Sequence, residues 1–133
     1  LAIGTTGNVY YLRSEYERAL ECYQQQLSIS EELGDRRGVS VAIGNMGNVY
    51  SSRGENDRAL ECFERKLSIA EELGDRSGVS YAIGNMGTVY DCRGEYDRAL
   101  ECYERTLSIA EEWPKPRSIC TSGRLPAGRA SST

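Results

Sequence analysis

AIGNMGTVY at 82–90 restates AIGNMGNVY at 42–50 and AIGTTGNVY at 2–10, each copy lying 40 residues after the one before. The intervening chain repeats with it: RALECYQQQLSIS at 18–30 is answered by RALECFERKLSIA at 58–70 and RALECYERTLSIA at 98–110. Of the 33 aligned pairs between 41–73 and 81–113, only eight differ. A fixed period of roughly 20–50 residues marks an array of supersecondary units, each of which buries its apolar face only by stacking on its neighbours. Three units are expected, at 1–33, 34–73 and 74–113, followed by a segment 114–133 that breaks the period.

Each unit reads as two helices. From Arg36 to Arg53, the residues Ala42, Ile43, Met46, Val49 and Tyr50 recur on one face at helical spacing, and strand alternation is absent. A second helix is expected from just after Gly54 to about Leu73, burying Ala59, Leu60, Phe63, Leu67 and Ala70. Between units, Gly34 is placed to close one helix at positive φ and Asp35 to cap the next; Gly74 and Asp75 repeat the device. Gly44 and Gly47 interrupt the first helix, each at a cost of up to about 1 kcal/mol relative to Ala. At the edge of the apolar face, Gly47 is expected to let the partner helix approach closely at Ala59. The GxxG spelling also occurs in phosphate-binding and KH-type loops, but those need strand or loop context and this segment is helical. The fold class expected is all-α, a solenoid of stacked antiparallel helix pairs forming a right-handed superhelix.

Composition narrows the function classes. The 133 residues are 27% charged and 39% apolar, as in globular domains, and no apolar run is long enough to span a bilayer, so no membrane partner is expected. The chain opens on Leu1 with no basic-then-apolar leader, so it is expected either to be cytoplasmic or to be cut from a longer protein, and its entry partway into a first helix favours the fragment. Residues 1–112 carry all 20 acidic and 12 of the 16 basic residues, a net charge of −8 that argues against nucleic acid as the partner. Lys115, Arg117, Arg124 and Arg129 make the remainder basic. Cys22, Cys62 and Cys102 recur at the repeat period, and stacked helices about 8–10 Å apart hold equivalent cysteines beyond disulfide reach. They read as small, partly buried apolar residues in a reducing compartment. With no histidine in the chain, a Cys/His zinc site and a His-assisted nucleophile are excluded, and nothing implies a cofactor.

Read in register, Thr6-Gly7, Tyr10, Ala19 and Tyr23 match Met46-Gly47, Tyr50, Ala59 and Phe63, and Met86-Gly87, Tyr90, Ala99 and Tyr103. This spacing resembles the tetratricopeptide repeat. The leading Trp of that signature is replaced here by Ile3, Ile43 and Ile83, and its late small residue by Gln26, Lys66 and Thr106. The final Pro is replaced by Glu31, Glu71 and Glu111, which suits helices longer than those of the roughly 34-residue form. The 40-residue period is similar to the long-helix repeats of spindle-orientation and cell-polarity adaptors. At 113–133 the repeat ends: Trp113 replaces Leu73, Pro114 and Pro116 stop the helix, and the Ser/Gly/Pro/Arg-rich remainder is expected to be disordered.

One row of each first helix lies off its apolar face and is expected to line the concave groove: Leu1, Thr5, Asn8 and Leu12; Val41, Asn45, Asn48 and Ser52; Tyr81, Asn85, Thr88 and Cys92. The resemblance implies that this surface binds an extended or helical peptide of a partner protein. It also implies that the Asn after the Met-Gly or Thr-Gly pair, Asn8 and Asn48, grips the ligand main chain, a pattern from which Thr88 departs. An amide donates and accepts at once, which extends the same reading to Asn45 and Asn85; Ser52 and Tyr81 complete the candidate site. The plainer reading is that Asn is tolerated on an exposed helix face. Arg13, Arg53 and Arg93 recur near the helix ends, where they are expected to cover the core with their stems and oppose the helix dipole. No nucleophile has a base partner, so an enzyme is not expected. The function expected is a protein-interaction scaffold. The alternatives are a regulatory array within a larger ATPase or protease, and self-association through exposed terminal helices.

Overall fold

The computed structural model describes residues 2–112. Six helices follow in order: α1 (Ala2–Leu12), α2 (Tyr16–Leu33), α3 (Arg36–Ser52), α4 (Asn56–Leu73), α5 (Arg76–Cys92) and α6 (Tyr96–Glu112), with no strand among the described residues. Each helix packs on the next along the chain, and α3 also touches α5. Short links and neighbour-to-neighbour packing make the described residues an all-α solenoid. Leu1, Trp113 and the segment 114–133, with Cys120, lie outside the described residues.

The Gly-Asp pairs serve both helices they separate. Gly34 adopts φ 69° and Gly74 φ 66°. Their N–H groups, with those of Asp35 and Asp75, satisfy carbonyls of the ending helix: Gly34 N to Glu31 O at 3.2 Å, and Asp35 N to Ser30 O at 2.9 Å. Asp35 Oδ1 then accepts from Gly38 N at 3.0 Å, and Asp75 Oδ1 from Gly78 N at 3.0 Å, capping α3 and α5. The corner inside each unit is built differently. Gly54 and Gly94 sit at φ 78° and 80°, and in the first unit Ser14 occupies the same left-handed conformation at φ 64°. Across this corner Arg13 Nε meets Glu15 at 2.8 Å, and the pairs Arg53–Glu55 and Arg93–Glu95 repeat the contact at 2.8 Å. The recurrent arginines thus brace the turn, with Arg53 and Arg93 at the C-caps of α3 and α5.

The core is assembled from adjacent units. Ala19 and Tyr23 of α2 pack with Val49 of α3; Ala59 and Phe63 of α4 pack with Val89 of α5. Val39, Ile43 and Ile69 form a further cluster. Two expectations need correction. Leu60 and Leu67 are half-buried, because the buried row of α4 runs through Ala59, Phe63, Lys66 and Ala70 and places both leucines on its flank. The close approach at Gly47 is made by Cys62 and Phe63, not Ala59. A Cβ at Gly47 would lie 2.7 Å from Phe63 Cε1 and 3.1 Å from Cys62 Cβ, and Gly7 and Gly87 meet Tyr23 and Tyr103 at 2.8 Å in the same way.

These contacts predict opposite outcomes for two similar substitutions. Gly47→Ala gains helix propensity of up to about 1 kcal/mol, but Phe63 is 1% exposed and has nowhere to move. The expected net result is a loss of about 1–3 kcal/mol from overpacking. Gly84→Ala, whose Cβ would meet nothing nearer than Thr106 Cγ2 at 3.9 Å, is expected to stabilise by up to about 1 kcal/mol. Urea midpoints of the two variants against wild type decide this. In the same titration Ser14→Gly is expected to gain about 1 kcal/mol, because Ser holds a left-handed conformation that glycine adopts without strain.

Candidate functional site

The 3.6-residue period that buries Ala42, Ile43 and Val49 turns Val41, Asn45 and Asn48 of α3 away from the core, beside Thr5 and Asn8 of α1. Asn8, Asn45 and Asn48 come together on a cleft of about 300 Å³ that is also lined by Tyr11, Leu12 and Tyr23. Asn8 and Asn45 line a neighbouring cleft of about 160 Å³ with Gly4, Thr5, Gln26 and Val41.

Tyrosine hydroxyls set the orientation of two amides. Tyr23 Oη donates to Asn8 Oδ1 at 2.6 Å, and Asn48 Nδ2 donates to Tyr81 Oη at 2.5 Å. Asn8 therefore keeps its amide hydrogens for another partner, whereas Asn48 keeps its carbonyl. Asn45, half-buried, shares the cleft with both groups intact. Burial pushes the Tyr23 phenol up to about 12, aided by repulsion from Tyr11, so this hydroxyl stays a donor throughout the neutral range. The other candidates are placed differently. Ser52 Oγ lies 2.9 Å from Tyr11 Oη, and Thr88 Oγ1 donates back to Gly84 O of its own helix at 3.2 Å. Asn85 is half-buried and Tyr81 exposed on α5, and neither lines either cleft.

Beside Tyr81 lies a group that sequence reasoning noted only as a departure from a motif. Lys66 is 7% exposed, with Nζ donating to Ser40 Oγ at 3.0 Å and Ser40 O at 3.3 Å. The same ammonium sits 5.1 Å from the Tyr81 ring centroid. Gly44 makes room for it, since a Cβ there would lie 2.9 Å from Lys66 Cδ. The Lys66 ammonium is held below the usual lysine range, chiefly by burial, with Asp75 opposing the shift. In the first unit Gln26 takes the equivalent place, 6% exposed, with its Oε1 buried and unpartnered. The signal for this layer was the pairing of a helical glycine with a long polar residue 22 positions on, Gly4 with Gln26 and Gly44 with Lys66.

Among the described residues no group of three or more His, Cys, Asp or Glu side chains could hold a metal ion, and no helix is long and apolar enough to cross a membrane. Cys62 is pushed up to about 11 and Cys102 is also raised, both chiefly by burial, which keeps these thiols protonated and weakly nucleophilic.

A stack of helix pairs, each packed on its neighbours, is an α-solenoid. The chain belongs to the tetratricopeptide repeat family, whose model matches residues 4–72 and again 39–112. That fold serves protein–protein interaction, and its members are typically non-catalytic. No curated protein sequence matches the chain. Among solved structures, the TPR domain of Arabidopsis FLU is similar at 21% identity and TM-score 0.77, covering 83% of this chain and 92% of that one. BtubC (BKLC) from P. vanneervenii is similar at 25% identity and TM-score 0.76, covering 96% of this chain and 53% of that one. Aspartyl phosphate phosphatase F from Bacillus subtilis shares the fold at 15% identity and TM-score 0.80, over 83% of this chain and 29% of that one.

Lys66 yields a pH-dependent prediction. Because its folded pKa lies below the ordinary lysine value of 10.5, the unfolded chain binds more protons between the two values, and the contribution of Lys66 to stability rises with pH across that window. Lys66→Met is expected to stabilise the chain at pH 7 by on the order of 1 kcal/mol. The gap between variant and wild type should narrow as pH approaches 10.5. Denaturation of both proteins at pH 7 and pH 10 tests the sign.

Proposed function

We propose that the chain is a non-catalytic scaffold whose inner groove, formed by α1, α3 and α5, receives an extended peptide segment of a partner protein. Three repeats at 1–33, 34–73 and 74–113 form the array in this reading, and the free, mostly half-buried thiols fit a reducing, cytoplasmic setting. The observation that carries the proposal is the complementary state of the asparagines on one cleft: Asn8 offers amide hydrogens, Asn48 a carbonyl, and Asn45 both. A peptide main chain presents C=O and N–H groups in alternation whatever its side chains, and a groove of amides preset in this way satisfies both. Asn85, Thr88, Ser52 and Tyr81 extend the groove toward the third repeat in the same proposal.

A second reading, homotypic assembly, is favoured by apolar side chains exposed on α1 and α6. Val9 is 50% exposed on α1, while Tyr96, Leu100 and Leu107 are 63%, 56% and 63% exposed on α6. Placement as a regulatory array within a larger ATPase or protease has no comparable observation.

A displayed library of random peptides, selected on the 133-residue chain, tests the groove. Asn8→Ala combined with Asn48→Ala should weaken the selected peptides by roughly 10- to 30-fold, about 1 kcal/mol for each lost hydrogen bond, with helicity unchanged. Peptides that bind the double variant as tightly as wild type would move the site off this face.

A further inference from the structure

Asn8 and Asn48 hold the same place in successive repeats but are fixed by different phenols. Asn8 is bonded by Tyr23 of its own repeat, a ring 1% exposed and held in the core. The matching ring for Asn48 is Phe63, which has no hydroxyl, so the bond to Asn48 comes instead from Tyr81 of the following repeat at 2.5 Å. Tyr81 is 41% exposed, and a ring that open is not fixed by the core. Left to itself it would sample other rotamers, and those would release Asn48.

Lys66 supplies the missing constraint. Its Nζ lies 5.1 Å from the Tyr81 ring centroid, while Ser40 Oγ and Ser40 O accept from it at 3.0 and 3.3 Å. An ammonium carries three hydrogens, and with two directed at Ser40 the third is left for the face of the ring. Asp75 and Arg37, whose charges act on this ammonium in opposite senses, are paired with each other at 3.3 Å and so largely cancel. Comparison of the repeats points the same way. In the first, Gln26 stands in place of Lys66, Val41 in place of Tyr81, and the asparagine is held from the core; in the third, Thr106 replaces the lysine and Thr88 the asparagine. Of the three, only the repeat whose asparagine depends on an exposed tyrosine carries the lysine. Stability does not account for the choice, since Gln26 fills the same layer without a charge and burying a charge costs free energy.

We propose that Lys66 is a positioning residue of the groove: its ammonium holds the Tyr81 ring where the hydroxyl takes an Asn48 amide hydrogen, and this keeps the Asn48 carbonyl turned toward a ligand. Lys66 acts through Tyr81 and touches no ligand itself. The consequence for binding rests on the groove reading above, but the link from Lys66 to Asn48 is present without a ligand and is measured without one.

Side-chain amide NMR resonances of the full chain, with the Asn48 pair assigned by its loss in Asn48→Ala, read that link. In wild type one Asn48 amide hydrogen should lie outside the range of a solvated asparagine and exchange slowly. Tyr81→Phe, which keeps the ring and removes the hydroxyl, should return it to that range. Lys66→Met should do the same although the hydroxyl is still present. Because Lys66→Met is expected to be more stable than wild type, its denaturation midpoint separates release of the amide from unfolding. Asn48 resonances unmoved by Lys66→Met would overturn the proposal, and so would resonances unmoved by Tyr81→Phe, since no bond would then exist to be positioned. Peptides selected on wild type should bind Lys66→Met roughly 3- to 10-fold more weakly, as for a hydrogen bond loosened but not deleted. In a Tyr81→Phe background the same substitution should cost nothing further. If Lys66→Met releases Asn48 while the peptides bind as before, or if no peptide is selected at all, the positioning role stands and the groove reading falls.

Discussion

Phe63 is enclosed from two sides, and neither side is enough alone. Within its own unit, the absence of a side chain at Gly47 brings α3 onto the ring; from the following unit, Val89 closes over it. A single helix pair can supply the first contact but never the second. At about 1.5–3 kcal/mol for full burial of a large apolar side chain, the stacking of the next unit contributes a substantial part of what holds each unit together. Stability in such an array belongs to the joints as much as to the repeats. Surface ion pairs between units, such as Arg65 with Glu31 at 3.4 Å and Arg105 with Glu71 at 3.7 Å, add little energy because their groups are about half exposed. Their regular spacing instead favours one register of stacking over its alternatives.

Four of the eight positions at which 41–73 and 81–113 differ share one region, and the other four, 51, 56, 63 and 73, lie outside it. Positions 41, 48, 52 and 66 belong to the groove row or to the layer beneath it, while the Gly-Asp connection, the caps and the apolar stripe are almost unchanged. Lys66 shows the physical limit on change there. The residue is long, charged and nearly buried, and it fits only because Gly44 lacks a Cβ, Ser40 accepts from its ammonium and the Tyr81 ring faces it. In the first unit Gln26 enters the same kind of space below Gly4 and leaves its Oε1 unpartnered. Unpaired buried polar groups cost free energy, so this layer sets the groove's chemistry against the stability of the array.

Period, helix boundaries and caps were legible in the sequence because they rest on local rules. Asp35 as an N-cap, Gly34 at positive φ and the end of α4 at Leu73 each follow from residues within one turn of the feature they determine. Corners were legible in part: Gly54 marks one, but Ser14 at φ 64° carries no comparable signal, since its conformation is imposed by the flanking helices. What escaped was lateral. The contact of Gly47 with Phe63 instead of Ala59 depends on how far one helix slides along another, which periodicity does not encode. The same holds for the burial of Lys66, the donation from Tyr23 to Asn8 and the bond from Asn48 to Tyr81, each joining residues on different helices.

Those lateral bonds tie the candidate site to the stacking. Tyr11 of α1 meets Ser52 of α3, and Asn48 of α3 meets Tyr81 of α5, so groove residues of each repeat are bonded to residues of the next. An amide on an isolated helix surface would rotate freely and lose conformational entropy on gripping a ligand. Here the hydroxyl of a neighbouring helix fixes which end of the Asn48 amide faces outward before any ligand arrives, and Tyr23, anchored in the core, does the same for Asn8. Preorganisation of this kind lowers the cost of binding without adding a contact. It also makes the groove conditional: separating two repeats would uncover Phe63 or Tyr23 and, in the same motion, free the amides that depend on the stack for their orientation.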